Sequence, residues 1–92
     1  MSEVREGTAT LTNAVGLHAR PAVKLMQLAK SLPSAVEMQV DGRPDWIDAK
    51  SVVKVMKLKA SKGETLRFRV TGPGAEADLA QLVGLVAREF DE

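Results

Sequence analysis

The sequence predicts one α+β domain, an antiparallel sheet with helices packed on one of its faces. Short runs of residues alternate between apolar and polar, as half-buried strands do, and other stretches repeat apolar residues every three or four positions, as helix faces do. With 92 residues, the chain is too short for two ordinary hydrophobic cores. The predicted order is β-α-β-β-α-β-α, and four short strands need helices to cover their apolar side. We therefore assign residues 1–92 to a single domain.

The first half of the chain predicts three strands and one helix. Alternation predicts strands at residues 8–13, with three threonines on one face, and at residues 36–40. A helix follows His18 and extends to about Leu32, where Pro33 and Ser34 end it. Asp41 and Gly42 mark a turn, after which residues 45–49 are predicted to return as a third strand. The apolar face of the helix is predicted to comprise Ala19, Ala22, Val23, Met26, Ala29 and Leu32, and its polar face Arg20, Lys24, Gln27 and Ser31.

The second half predicts a short helix, a strand and a longer helix. Ser51 is a good N-cap and begins the short helix, which carries Val52, Val53 and Met56. After a turn at Gly63, the fourth strand is predicted to point Leu66, Phe68 and Val70 inward and Arg67 and Arg69 outward. Residues 72–74, Gly-Pro-Gly, mark the next turn. The last helix is predicted to continue through the C-terminus, with Leu79, Leu82, Val83, Val86 and Phe90 at helical spacing.

Residues 16–23 contain the chain's one histidine, immediately before the first helix. Gly16 takes a positive φ at little cost and predicts a turn, which leaves His18 at or near the N-cap. The free N–H groups and the peptide dipoles at a helix N-terminus favour a phosphate and disfavour imidazolium. A neutral imidazole keeps the lone pair that attack on phosphorus requires, and the Arg20 guanidinium can grip two phosphate oxygens. Capping or packing by His18, with Arg20 as a solvated helix residue, explains the same residues about equally well.

Two other chemistries lack support around His18. The chain has no cysteine and no second histidine, and residues 12–24 include no carboxylate, so the ligands that zinc needs are missing locally. Acid–base hydrolysis is unsupported because His18 has no partner Ser, Asp or Glu in a recognised motif.

A nucleic-acid-binding alternative rests on basic residues in the second half of the chain. These are Lys50, Lys54, Lys57, Lys59 and Lys62, a stretch without an acid, together with Arg67 and Arg69. Aromatic residues are only 3% of the chain, and no run resembles a platform for stacking bases. Nucleic-acid binding is therefore the weaker interpretation.

The heptapeptide Gly16-Leu17-His18-Ala19-Arg20-Pro21-Ala22 resembles the active-site signature of HPr, the histidine-containing phosphocarrier family of the bacterial phosphotransferase system. Residues 50–56 resemble a second segment of that family, and the resemblance covers nearly the whole chain. It implies an HPr-like open-faced β-sandwich, with a four-stranded sheet in the order 1-4-2-3 and three helices on one face. It also implies a stoichiometric carrier rather than an enzyme, without metal or cofactor. His18 would accept a phosphoryl group from enzyme I, charged by phosphoenolpyruvate, and pass it to enzyme IIA-type acceptors while Arg20 steadies the group.

The resemblance implies further sites. Ser51 corresponds to the regulatory phosphorylation site in organisms that possess the matching HPr kinase/phosphorylase, although capping alone would account for this serine. The implied docking residues are Ala19, Lys24, Val52, Val53, Lys54 and Met56. A purely regulatory homologue without carrier chemistry is a third alternative, against which the presence of both His18 and Arg20 argues.

Three features are particular to this chain. The segment from Asp41 to Asp48 is slightly longer than in typical members of the family, and it carries Trp46, which we expect to pack. Lys59 stands where the family often has glycine. Residues 89–92, Glu-Phe-Asp-Glu, resemble the ending of the nitrogen-related branch of the family.

The composition is that of an ordinary globular domain, with 45% hydrophobic and 27% charged residues. The absence of cysteine suits the cytoplasm, and the run from Met1 to Glu6 has no apolar signal region. No stretch approaches the roughly 20 apolar residues of a membrane helix. We expect a cytoplasmic monomer that inserts into no membrane.

Overall fold

The computed structural model describes residues 3–91, which form four strands, three α-helices and a terminal 3₁₀ turn. In chain order these are β1 (Glu3–Thr10), α1 (Ala19–Ser31), β2 (Ala35–Val40), β3 (Ile47–Asp48), α2 (Val52–Lys57), β4 (Thr65–Gly72), α3 (Ala75–Ala87) and the 3₁₀ turn Glu89–Asp91. The predicted order of strands and helices is confirmed. The predictions for the two chain ends also involved Met1, Ser2 and Glu92, which lie outside the described residues.

The sheet is antiparallel and has the order β1-β4-β2-β3. The last strand in the chain, β4, is central: it pairs with β1 on one side and with β2 on the other. The short β3 pairs with β2, with Ile47 opposite Met38. Both the α+β class and the strand order that the family resemblance implied are confirmed.

One face of the sheet is covered by the helices and holds the core. Along β4, buried residues alternate with half-buried ones. Leu66, Phe68 and Val70 are fully buried, as predicted. Leu25 of α1 and Leu82 of α3 are fully buried in the same cluster, so apolar residues of the helices cover the apolar side of the sheet.

The opposite face of the sheet carries charges that are paired. Arg67 donates to Glu6 at 3.2 Å, and the Arg69 guanidinium donates to Glu37 at 2.9 Å. The hydrogen bond and the charge of Glu37 raise the pKa of Arg69 above its ordinary value. The Trp46 ring lies beside both arginines, 4.2 Å from Cζ of Arg69 and 5.9 Å from Cζ of Arg67, so its indole packs against two cations.

The predicted bounds of two strands were wrong. β1 begins at Glu3 rather than residue 8 and ends at Thr10 rather than residue 13. Its first four residues are polar or exposed, so they carry no apolar alternation, yet β4 pairs with them along the backbone. The third strand is confined to Ile47–Asp48 within the predicted residues 45–49.

The helix predictions need corrections at single positions. Ala19, predicted on the apolar face of α1, is exposed because it is the first residue of the helix, ahead of the turns that pack. Leu25, omitted from that face, is fully buried. The last helix ends at Ala87 instead of continuing through the C-terminus.

Phe90 reaches the core by a chain reversal that helical spacing cannot produce. It lies in the 3₁₀ turn with φ 59° and is fully buried. Its carbonyl accepts a hydrogen bond of 2.9 Å from Nζ of Lys24 in α1. The predicted burial of Phe90 is confirmed, although its predicted place in a helix was wrong. Within residues 3–91, no helix has both the length and the apolarity needed to cross a membrane.

Candidate functional site

The turn that precedes α1 begins at Asn13 and ends at Gly16. The Gly16 N–H donates to the Asn13 carbonyl at 3.1 Å, and Nδ2 of Asn13 donates back to the Gly16 carbonyl at 2.7 Å. Gly16 has φ 64°, which confirms the predicted turn and the need for glycine. The turn is thus closed by reciprocal bonds between its first and last residues.

A distant segment holds this turn in place. The Leu17 N–H donates to the Ala60 carbonyl at 2.9 Å. A Cβ atom on Gly16 would lie 2.6 Å from that carbonyl oxygen and 2.9 Å from Cα of Ser61. The backbone of residues 60–61 is therefore packed directly against the turn, and a side chain at Gly16 would separate them.

His18 is the N-cap of α1, as predicted. Its backbone is extended, with φ −88° and ψ −171°, and its carbonyl accepts the N–H of Ala22 at 2.8 Å. The imidazole is exposed and makes no hydrogen bond to any group among residues 3–91. Pro21 has no N–H to donate, which costs little in the first turn. The ring therefore lies outside the helix at its positive end, without the capping contact of the alternative interpretation.

A depression of about 350 Å³ adjoins the His18 ring. It is lined by Val15, Leu17, His18, Ala19, Met56, Lys59, Ala60 and Ser61. The first four come from the turn and the start of α1, and the others from the end of α2 and the loop after it. The depression thus lies between the heptapeptide that contains His18 and residues 56–61, which begin within the second family-like segment.

Hydrogen bonds around Glu64 fix the far wall of this depression. The Glu64 carboxylate accepts the Ser61 N–H at 2.7 Å and an Arg43 N–H at 3.1 Å. Arg43 also donates to the Leu58 carbonyl. The Ser61 hydrogen bond is the largest cause of the lowered pKa of Glu64; lost solvation opposes it, and the hydrogen bond and charge of Arg43 lower the pKa further. Because Arg43 belongs to the loop between β2 and β3, that loop supports the wall.

The other predicted site residues lie around the His18 ring but not all in one cavity. Arg20 is exposed in the first turn of α1 and lines a neighbouring shallow depression with Ala19, Val23, Lys24 and Gln27. Lys24 is half-buried, since its ammonium group reaches the Phe90 carbonyl. Arg20 is thus adjacent to His18 in the chain, whereas the residues lining the His18 depression are largely different ones.

Ser51 and the exposed face of α2 lie at the other side of the site. Oγ of Ser51 accepts the Lys54 N–H at 3.4 Å, which confirms the predicted cap. Val53 and Met56 are 60% and 43% exposed, while Val52 is half-buried. Single exposed apolar residues are common, whereas here two of them lie on one short helix next to the depression beside His18.

Two residues of the site were not singled out for it from the sequence. Asn13 closes the turn, and the signal was available, since Asn at the first position and Gly at the fourth are typical of a β-turn. Lys59 follows the C-cap Leu58 of α2 with φ 48°, the position and conformation that favour glycine. The structure thus has a lysine in a left-handed backbone conformation next to the His18 depression.

The nucleic-acid alternative loses part of its basis. Arg67 and Arg69 are paired with acids and lie beside Trp46. Lys50 donates to the Leu32 carbonyl at 3.1 Å, so it is engaged within the fold. What is left is a group of lysines around α2, next to the exposed apolar residues of that helix.

Comparison with known proteins agrees with this geometry. A family model described as "PTS HPr component phosphorylation site" matches residues 5–88. The chain is 41% identical to phosphocarrier protein HPr of Cupriavidus necator, over 90% of this chain and 91% of that one. It is 35% identical to phosphocarrier protein NPr of Escherichia coli K12, over 92% and 93%. The crystal structure of HPr-C-His from Thermoanaerobacter tengcongensis superposes with a TM-score of 0.86 at 32% identity, covering 96% of this chain and 97% of that one.

These matches cover nearly all of the chain and concern small proteins that carry phosphoryl groups. The chain belongs to the HPr family of phosphotransferase-system phosphocarriers.

Proposed function

We propose that His18 accepts a phosphoryl group from phosphorylated enzyme I and passes it to a histidine of an enzyme IIA-type protein. The chain acts as a stoichiometric carrier, a single-domain monomer in the cytoplasm, and serves sugar uptake or nitrogen and carbon regulation. The observation that carries this proposal is the exposed His18 imidazole at the N-terminus of α1, which makes no hydrogen bond within residues 3–91. A ring held in that position, above a depression, is open to an in-line approach.

The transfer needs little covalent machinery. A lone pair on a His18 ring nitrogen forms a bond to phosphorus while the phosphorus–nitrogen bond of the donor phosphohistidine breaks, and that electron pair returns to the donor imidazole. The transfer to the acceptor is the same step with the roles exchanged. Positioning and charge stabilisation then supply most of the rate.

Arg20 and the helix N-terminus supply that stabilisation. Arg20 is exposed two residues after His18, and a guanidinium can bind two phosphate oxygens at once. The N–H groups ahead of Ala22, the first residue to bond back into the helix, lie at the positive end of its dipole. Both features stabilise the negative charge of the phosphoryl group while it is transferred.

The test is to incubate the protein with phosphoenolpyruvate and a purified enzyme I. Phosphorus NMR and intact mass should show one acid-labile phosphoryl group on the wild type and none on His18→Ala. Absence of label on the wild type, or label on His18→Ala, would refute the assignment. Arg20→Ala should keep the fold and slow transfer, whereas Lys30→Ala, which removes the same charge at the far end of α1, should not.

Docking of both partners is assigned to Ala19, Lys24, Val52, Val53, Lys54 and Met56. Val53 and Met56 supply apolar contact area, and the lysines around them speed the encounter with acidic partners. Val53→Ala should raise KM for enzyme I with kcat little changed. Val4→Ala on β1 is the matched control, because Val4 is 57% exposed and lies outside this surface. Equal effects of the two variants would remove α2 from the interface.

Ser51 is assigned a regulatory role. A phosphate there would place about two negative charges beside the docking residues of α2 and weaken the binding of acidic partners. Treatment with an HPr kinase/phosphorylase and ATP should add one acid-stable phosphoryl group to the wild type and none to Ser51→Ala. The same treatment should raise KM for enzyme I. An unchanged KM after stoichiometric phosphorylation would refute the regulatory role.

A further inference from the structure

Lys59 adopts a backbone conformation that lysine occupies at a cost. Its φ is 48°, directly after the C-cap of α2, where glycine is the usual residue because it lacks a Cβ atom. Its side chain is exposed and makes no hydrogen bond or ion pair with any group among residues 3–91. The strain is therefore not offset by a side-chain contact in the described part of the chain. Strained residues of this kind concentrate at functional sites.

Lys59 also borders the site. It lines the depression beside the His18 ring, and of the residues that line it, Lys59 is the one with a permanent charge. No carboxylate lines this depression, so no acid within its wall competes for the ammonium group. Apolar neighbours such as Met56 and Ala60 leave few other groups to solvate an anion there.

We propose that the Lys59 ammonium binds the phosphoryl group carried by His18 and stabilises its dianionic form. This inference rests on the proposed function, because it concerns the loaded state of the carrier. Arg20 lies in the first turn of α1 and Lys59 in the loop after α2, so in this proposal two cations from different parts of the chain contact the phosphoryl group. A glycine at this position would relieve the strain and lose the second cation.

The interaction has a measurable size. A single solvent-exposed cation that lies within a few ångströms of a phosphoryl group should change the proton affinity of that group about twofold. The dianion carries two negative charges, of which protonation removes one, so the ratio of loaded to unloaded carrier at equilibrium with enzyme I should change about fourfold.

In the experiment, His18 is phosphorylated chemically, without any partner protein. Phosphoramidate transfers its phosphoryl group to the imidazole: a nitrogen–phosphorus bond forms at His18, the phosphorus–nitrogen bond of the reagent breaks, and ammonia leaves. The titration of the phosphohistidine is then followed by phosphorus NMR in the wild type, Lys59→Gln, Lys59→Gly and Lys59→Arg. Lys62→Gln is the matched control, because Lys62 is exposed in the same loop and does not line the depression.

The midpoint of the titration should move to higher pH in Lys59→Gln and Lys59→Gly, by about a twofold gain in proton affinity. Lys59→Arg and Lys62→Gln should titrate as the wild type does. Lys59→Gly removes the charge while relieving the strain, so a loss of stability cannot produce its shift. Unchanged midpoints in both neutral variants, or an equal shift in Lys62→Gln, would overturn the proposal.

The outcomes also separate this inference from the proposed function. Enzyme I could fail to label the wild type while the protein phosphorylated by phosphoramidate still shows the shifted titration midpoint in the Lys59 variants. In that case the carrier assignment fails and the contact between Lys59 and the phosphoryl group stands. If enzyme I labels His18 but the Lys59 variants change only KM, Lys59 acts in docking and the phosphate contact is refuted.

Discussion

Replacing Gly16 by alanine should destabilise the protein by about 4 kcal/mol, of which the left-handed backbone accounts for about 1 kcal/mol. Most of the remainder comes from the new Cβ atom, which would lie 2.6 Å from the Ala60 carbonyl oxygen and 2.9 Å from Cα of Ser61. Both are backbone atoms, so no side chain can rotate away and the turn itself must move. That movement should cost about 2 kcal/mol in strain and about 1 kcal/mol for the Leu17 N–H bond to Ala60.

Urea unfolding followed by circular dichroism measures the loss, and for a domain of this size the midpoint of thermal unfolding should fall by roughly 20 °C. Gly42→Ala is the control: its φ is 93° and a Cβ atom there meets nothing within 4 Å. It should lose only the conformational part. Equal losses for the two variants would refute the argument that the turn is clamped by residues 60–61. A folded Gly16→Ala protein should also accept a phosphoryl group more slowly, since the turn positions His18, which follows it by two residues.

Three further stability changes are expected. Ser51→Ala should cost about 0.5 kcal/mol by urea titration, since the cap bond from Lys54 is long at 3.4 Å; a loss above roughly 2 kcal/mol would contradict this account. The pKa of Glu64 is lowered in the fold, so this carboxylate stabilises the protein fully above its ordinary pKa of 4.5, and the stabilisation is lost as pH falls below that value. The free energies of unfolding of the wild type and Glu64→Gln should therefore converge on acidification. Parallel curves of stability against pH would exclude the effect. Ser34→Ala should lower the free energy of unfolding by about 2 kcal/mol in a urea titration, because it removes the buried 2.6 Å hydrogen bond to Asp78. A stability close to that of the wild type would show that Asp78 finds another donor.

Much of the fold was accessible from the sequence, because local pattern and burial agree in the central elements. Leu66, Phe68 and Val70 alternate with two arginines, and β4 follows that alternation. The predictions failed where backbone pairing or tertiary contact decides instead. The start of β1 has no apolar alternation, yet pairing with β4 makes it a strand. Phe90 has the spacing of a helix residue, yet it is buried through a reversal at the end of the chain.

The strand order could not be obtained from residue patterns. Alternation shows which face of a strand is buried but not which strand lies beside it, and several antiparallel orders would bury the same side chains. The order 1-4-2-3 came from the family resemblance, and the placement of β4 between β1 and β2 confirms it. The contacts of Arg43 with Glu64 and the Leu58 carbonyl were equally inaccessible, because they join loops far apart in sequence.

The position of His18 depends on a local motif and on a hydrogen bond with a segment that is distant in the sequence. The segment from Gly16 to Pro21 is sufficient to place His18 at a helix N-cap, and this much follows from glycine and helix chemistry. Where the ring stands relative to α2 depends on the Ala60 carbonyl, which holds the turn from the other side of the depression. Because the loop that clamps the turn also carries Lys59, a change at the end of α2 acts on the His18 ring and on its surroundings together. The position of residues 60–61 relative to α1 therefore affects the surroundings of the His18 ring as directly as the heptapeptide does.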